Sequence, residues 1–289
     1  MGICDLLPFL RKNAPNAFSP LLEWKVNRNC VRVAVDVPIF MYKNCYSVGN
    51  GVPLCDKMLK FAQNLKEDNF YPIFVFDGEP LIAKNEEREK RFVKCVRAME
   101  LKILKSQFAV FCDTDFAVDE EYEVERTVLP SGKPTKEDFE ALKEACKLSG
   151  IEIKIAKYEA EALCAHLCFI GEVDAVLTED SDTAAYLCNA IILNWKHSTR
   201  ETVLNAQKAV EELKLTTSEF HDLCILFGND FNERIKGIGP VKSYSYIKKH
   251  GCIENVLKLH PQINAEKMFD TRKIFQTYCF ENENYRTAE

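Results

Sequence analysis

Four stretches of the chain are almost continuously apolar and rich in β-branched residues: VRVAVD (31–36), YPIFVFD (71–77), IEIKIA (151–156) and DAVLTED (174–180). Short runs of this kind predict strands covered on both faces, as in a parallel sheet. Between them the apolar spacing becomes helical, with Leu59, Phe61, Ala62 and Leu65 ahead of the second run. DFEALKEACKLSG (138–150) does the same ahead of the third, with Gly150 as its stop. Strands alternating with helices specify an α/β fold with a mostly parallel central sheet flanked by helices.

Such sheets bind ligands beyond the carboxyl ends of their strands. Three of the runs end there on Asp36, Asp77 and Asp180, and IEIKIA is followed by KYEAEA, with Glu159 and Glu161. One carboxylate on a loop tip is ordinary; acid at all four ends is better explained by a shared divalent-cation site. In TEDSD (178–182), Glu179, Asp180 and Asp182 crowd together. Burying such like charges is costly unless positive charge sits among them.

From about 216 onward the pattern is helical. SEFHDLCILFGNDF (218–231) predicts a helix entered by a Ser cap with Glu219 behind it, running into Gly228 and a further acid, Asp230. IKGIGPVKSYSYIKKHG (235–251) follows. In 84–105, Phe92, Val96, Met99 and Ile103 form a narrow apolar stripe among many basic residues. An ordinary surface helix with charge pairs such as Glu87 to Arg91 would read the same way. Residues 113–134 are strongly acidic, without core periodicity, and predict an exposed excursion.

Composition narrows the class. At 47% hydrophobic and 28% charged, the 289 residues can bury a real core. No apolar run approaches the roughly 18–20 residues of a membrane span. MGICDLLPFLRK has no basic stretch ahead of an apolar core, so a secretory signal is not expected. Thirteen cysteines with no CxxC pair suit a reducing compartment. Cys164, His166 and Cys168 are the nearest approach to a zinc cluster, but no second ligand pair follows. The net charge of -6 argues against a nucleic-acid partner until seven acids are set aside, Asp36, Asp77, Glu159, Glu161, Asp180, Asp182 and Asp230; the balance is then +1.

Those seven suit Mg²⁺, a hard ion that takes oxygen ligands and is often shared with substrate phosphates. Two such ions about 4 Å apart can activate a water and stabilise the leaving oxygen of a phosphodiester. In GIGP, Gly237 and Gly239 allow close approach of a ligand and Pro240 suits a first helical turn. The helix that follows can hold a phosphate at its N-terminus, with Lys242, Lys248 and Lys249 adding charge; the simpler reading is a plain turn.

With these motifs in order, MGICDLLPFL, AVDVPIFMY, VFDGEP, YEAEA, TEDSD and LFGNDFNERIKGIGP, the chain resembles over nearly its whole length the flap endonuclease family of structure-specific 5′ nucleases. That family includes exonuclease-1-type and XPG-type enzymes. The resemblance implies a single nuclease domain over 1–289: a PIN-like α/β core to 215, a helical arch inserted at about 84–135, and a helix–two-turn–helix region over 216–289. It implies that the seven acids hold two Mg²⁺ ions, for which Mn²⁺ can substitute. Lys84 and Arg91 would be catalytic, on a gateway above the metals. Tyr42 would stack on the base beside the cut, and Gly2 would pack close to the active site. Gly237, Gly239 and Lys242 would grip the duplex backbone, with K⁺ held at the hairpin. DNA with a 5′ flap or 5′ end at a single-strand/double-strand junction is the implied partner, in replication, repair or recombination.

Some features depart from the pattern. The acidic 113–134 stretch makes the arch longer than usual, and the basic residue often found after the first Asp is not evident around NCYSVGNG. No sliding-clamp motif is seen. A monomer is expected, with no membrane association, in a nucleus or a cytoplasmic or viral DNA replication site. An exonuclease-1-like 5′→3′ exonuclease is the near alternative. A catalytically silent DNA-binding scaffold is a rival of another class, disfavoured by the full acid set. A small RNA-cleaving enzyme would have no need of the GIGP region.

Overall fold

The structure, a computed structural model, describes residues 2–46, 53–81, 84, 89, 133–195, 201–261, 263, 265–280 and 286–287. Arg91, the rest of the 84–105 stretch apart from positions 84 and 89, and residues 113–132 of the acidic excursion lie outside the described residues. Eight strands make one sheet: β1 (Phe18–Pro20), β2 (Val31–Asp36), β3 (Phe70–Phe76), β4 (Glu152–Ile155), β5 (Ala175–Leu177), β6 (Ile191–Leu193), β7 (Thr202–Leu204) and β8 (Arg286–Thr287). Their order is β1-β7-β6-β5-β2-β3-β4-β8. The five central strands are parallel, and β1, β7 and β8 join antiparallel at the edges.

β2 runs between β3 and β5, with Val33 opposite both Pro72 and Ala175. Its Val31, Val33, Ala34 and Val35 are completely buried, so burial on both faces rather than alternation selects this sequence. The helices are α1 (Leu6–Asn13), α2 (Leu21–Lys25), α3 (Val37–Tyr46), α4 (Leu54–Glu67), α5 (Lys136–Leu148), α6 (Ala160–Phe169), α7 (Asp182–Ala185), α8 (Ala206–Glu212), α9 (Thr217–Phe227), α10 (Pro240–His250), α11 (Ile253–Leu257) and α12 (Glu266–Phe280). α4 buries Met58, Ala62 and Leu65, and α5 is started by a Thr135–Asp138 capping box. Among the described residues, no helix is long and apolar enough to cross a membrane.

Two expectations need correction. DAVLTED is a strand only over Ala175–Leu177, because the Thr178 hydroxyl draws the chain out of the ladder. It donates to Asp36 Oδ2 at 2.8 Å and accepts from the Asp180 N–H at 3.0 Å. The cap of α9 is Thr216, not Ser218. Thr216 Oγ1 accepts from the Glu219 N–H at 3.2 Å while Glu219 Oε2 accepts from the Thr216 N–H at 2.7 Å. Those reciprocal bonds need a three-residue spacing, which Ser218 lacks toward Glu219.

α9 is the hub of the helical region. Asp222, completely buried, accepts from Arg272 of α12 at 2.7 Å and from the Ile253 N–H opening α11 at 2.9 Å. Arg272 also grips Glu254 through both terminal guanidinium nitrogens. On the same helix His221 is 1% exposed; its Nε2–H donates to the Ala185 carbonyl of α7 at 2.9 Å. Nδ1 has no hydrogen-bond partner among the described residues. Burial, with the Arg272 charge adding to it, lowers the His221 pKa to about 4.

The unfolded chain therefore binds the His221 proton more tightly than the folded one. Stability from this site is present above pH 6.5 and is lost as pH falls toward about 4, by about 2 kcal/mol at pH 5. His221→Gln, which keeps a donor for Ala185, is expected to remove that share of the loss. Urea midpoints of both proteins at pH 7 and pH 5 check it; equal losses would refute it.

Candidate active site

The carboxyl edge of the parallel sheet collects acids from five places. Asp36 ends β2, and Asp77 follows β3 directly. Glu159 is the N-cap of α6 and Glu161 lies in its first turn. Asp180 precedes α7 and Asp182 opens it, while Asp230 lies in the loop after α9. Asp36, Glu159, Glu161, Asp180 and Asp182 are buried, the last completely. Asp77 Oδ1 accepts the Ala160 N–H at 2.8 Å, which fixes its orientation and satisfies the start of α6.

These acids lie in one another's fields. Burial raises the Asp36 pKa to about 8, with the charge of Asp77 adding and the Thr178 hydrogen bond opposing. Burial likewise holds Glu161 and Asp182 well above the carboxylate range, with Asp180 adding in both cases. Asp180 is itself raised by burial, against the bond its Oδ1 accepts from the Asp182 N–H at 3.1 Å.

The compensating charge is Lys84. Its ammonium donates to Glu159 at 2.5 Å and Glu161 at 3.2 Å, stands 3.9 Å from Asp230, and lies 4.9 Å above the Phe231 ring. Burial alone would lower its pKa, yet Glu161 and Glu159 outweigh that and hold it well above the ordinary lysine value. Glu179, the third acid of TEDSD, turns away and pairs with exposed Lys43 on α3. Tyr42 precedes Lys43 on that helix and is half-buried.

Gly2 is pressed into the same edge. A Cβ there would lie 2.1 Å from Asp180 Oδ1, and its φ of 93° is one that side chains rarely adopt. Two bonds hold the N-terminal residues in place: the Cys4 N–H donates to the Gly228 carbonyl at 2.9 Å, and Ser181 Oγ donates to the Ile3 carbonyl at 3.2 Å. Arg234 braces the 228–234 loop against them, donating to the carbonyls of Phe227 (2.8 Å) and Cys4 (3.3 Å) and to Asp5 (2.8 Å). Within the loop, Asn229 Oδ1 accepts from the N–H groups of Phe231 and Asn232, holding the turn that carries Asp230.

The hairpin is a separate feature. Gly237 has φ 83°, Gly239 caps α10 with Pro240 at its first turn, and Lys242 Nζ donates to the Gly237 carbonyl at 3.1 Å. Ile235 and Ile238 anchor the turn in the core. Lys236, Lys242, Lys248 and Lys249 are exposed.

The donor set is all carboxylate oxygen, the chemistry of a hard divalent cation. Asp182 bears this out, since both its oxygens are buried without a hydrogen-bond partner and a cation would satisfy them. Among the described residues no three His, Cys, Asp or Glu side chains close around a common point as ready ligands. Lys84 stands among Glu159, Glu161 and Asp230, so an ion bound between those three requires that its ammonium move aside. Motif reading missed Thr178 and Phe231; the first was visible as the leading residue of TEDSD, the second only as the aromatic after Asp230.

Two family models match the chain, the XPG N-terminal domain over residues 1–98 and the XPG I-region over 150–230. Flap endonuclease 1-2 of Paramecium tetraurelia is 31% identical over 292 residues, covering 92% of this chain and 70% of that protein. Flap endonuclease 1 of Babesia bovis is 29% identical over 276 residues, and there the chain spans only 39% of the relative's length. Among solved structures, the catalytic core of Rad2 in complex with DNA substrate superposes with a TM-score of 0.67 at 23% identity, over 98% of this chain and 76% of that one. Flap endonuclease-1 from Methanococcus jannaschii gives 0.62 at 24%, over 89% and 81%. At these identities the two structural matches establish the fold.

Removing Lys84 leaves buried acids without their compensating charge. Lys84→Met is expected to cost about 3–5 kcal/mol in EDTA at pH 8, read as a lower urea midpoint. The wild type in EDTA has a trend of its own. Folding favours the protonated Asp36, whose pKa rises from 3.8 to about 8, so stability from this group is lost as pH rises through that range. Equal midpoints for the two proteins at pH 8 would show that the ammonium is not the compensating charge.

Proposed function

The chain belongs to the flap endonuclease family of XPG-type structure-specific 5′ nucleases, and on that premise we propose that it hydrolyses DNA phosphodiesters at 5′ flaps or at single-strand/double-strand junctions. The observation that carries this reading is the set of seven carboxylates along the carboxyl edge of the sheet, five of them buried, with the Lys84 ammonium paired to Glu159 and Glu161 and 3.9 Å from Asp230. So much negative charge at one edge has no structural use without cations.

Asp36, Asp77, Glu159, Glu161, Asp180, Asp182 and Asp230 would hold two Mg²⁺ ions, with Mn²⁺ able to substitute. Bound there, the ions supply an activated water and charge stabilisation for the leaving oxygen. Lys84, already positively charged and buried, binds the scissile phosphate once the acids release it, and Arg91 is its proposed companion. Tyr42 stacks on the base beside the cut. Gly2 leaves room for the strand where any side chain would collide with Asp180. Gly237, Gly239 and Lys242 bind the backbone of the duplex, with K⁺ at the same turn. Contacts of this kind read phosphates and shape, so base sequence should matter little. The setting is a compartment where DNA is replicated, repaired or recombined.

Asp180→Ala is expected to lower cleavage of a labelled 5′-flap duplex by several kcal/mol in barrier, about a thousandfold, while duplex affinity is kept. A time course with Mg²⁺ or EDTA checks this, run beside a recessed-end duplex. Release of the flap as one piece supports the proposal. Stepwise loss of nucleotides from the recessed end would move it to a 5′→3′ exonuclease. DNA binding without any metal-dependent cutting would overturn it in favour of a scaffold.

A further inference from the structure

Three of the acids are joined by a chain of hydrogen bonds whose middle member is not an acid. Thr178 follows β5 directly and is completely buried. Its N–H still donates to the Ile192 carbonyl of β6 at 3.5 Å, so its side chain starts from the rigid sheet.

Packing does not call for a hydroxyl here. A buried, β-branched position at a strand end suits valine equally well, and valine would not draw the chain out of the ladder. The use of the oxygen lies in what it bonds. Oγ1 accepts from the Asp180 N–H at 3.0 Å, and its own proton goes to Asp36 Oδ2 at 2.8 Å. The Asp182 N–H donates in turn to Asp180 Oδ1 at 3.1 Å. One hydroxyl thus links the acid that ends β2 to the two acids beyond β5.

An ionised carboxylate only accepts hydrogen bonds, and Thr178 is the one donor to Asp36 among the described residues. Cys164 of α6 lies in the field of Asp36 but makes no hydrogen bond to it among those residues. With Oδ2 held by Thr178, the Asp36 carboxylate is fixed in rotation.

We propose that Thr178 is a positioning residue of this site: its hydroxyl orients the Asp36 carboxylate and ties it to Asp180, so that both acids are set in place before a divalent cation arrives. This rests on the ion-binding role given to the acids above and adds a residue outside the seven. Groups that orient metal ligands from behind typically govern affinity or activity by about 10–100-fold.

The test is Thr178→Val, which keeps the shape and removes the oxygen, beside Thr178→Ser, which keeps the oxygen. The same contrast is read between Thr178→Ser and Thr178→Ala, which differ only by that oxygen. Ca²⁺, which binds oxygen sites, is titrated calorimetrically into the full chain without DNA. Thr178→Val and Thr178→Ala are expected to bind Ca²⁺ about 10–100-fold more weakly than wild type, with Thr178→Ser close to it. With Mg²⁺ and flap DNA, kcat should fall by a similar factor at unchanged KM and be restored in Thr178→Ser. Ca²⁺ affinity equal to wild type in the variants without the oxygen would overturn the proposal, even with a lower urea midpoint in EDTA, the signature of a packing role alone. So would a Thr178→Ser protein as weak as Thr178→Ala. Absence of Ca²⁺ binding by the wild type would overturn the underlying ion-site reading instead.

Discussion

Like charges at the carboxyl edge of a parallel sheet repel, and everything around that edge answers the repulsion. Coulomb energy between carboxylates rises as water is excluded, so five buried acids cannot all remain ionised without positive charge among them. Protonation is one answer, seen in the raised pKa values of Asp36, Glu161 and Asp182. Backbone dipoles are another: the N-terminus of α6 meets Asp77 at 2.8 Å. The Lys84 ammonium is the third. Each of these compensations is partial, and a divalent charge among the same acids would exceed any one of them.

Most of the frame is legible in the sequence because it obeys simple periodicities. VRVAVD and YPIFVFD are buried on both faces, so their composition alone marks them as central parallel strands. The seven acids are legible because each follows such a run or a helix at a fixed point. What escapes is set by single side-chain bonds. Nothing in the apolar pattern says that DAVLTED leaves the sheet at Thr178, since that depends on a hydroxyl serving Asp36 and Asp180 at once. The edge strands β1 and β8, and β7 beside β1, are too short for a pattern to show.

The helical region is coupled to the acids through α9. One face of that helix places Asp222 against Arg272 and the start of α11, and the neighbouring residue His221 reaches the carbonyl of Ala185. Its end at Gly228 meets the N-terminal residues through Cys4. A single helix therefore sets the spacing between the hairpin that follows it and the acids of α7.

The clasp between Arg234 and Asp5 joins residues 229 positions apart. Contacts that distant cannot form on a growing chain until residue 234 has left the ribosome. The first residues made, with Gly2 against Asp180, and the late acid Asp230 meet at the same edge. The acid edge is thereby a late product of synthesis, assembled only once residue 234 can close over residue 5.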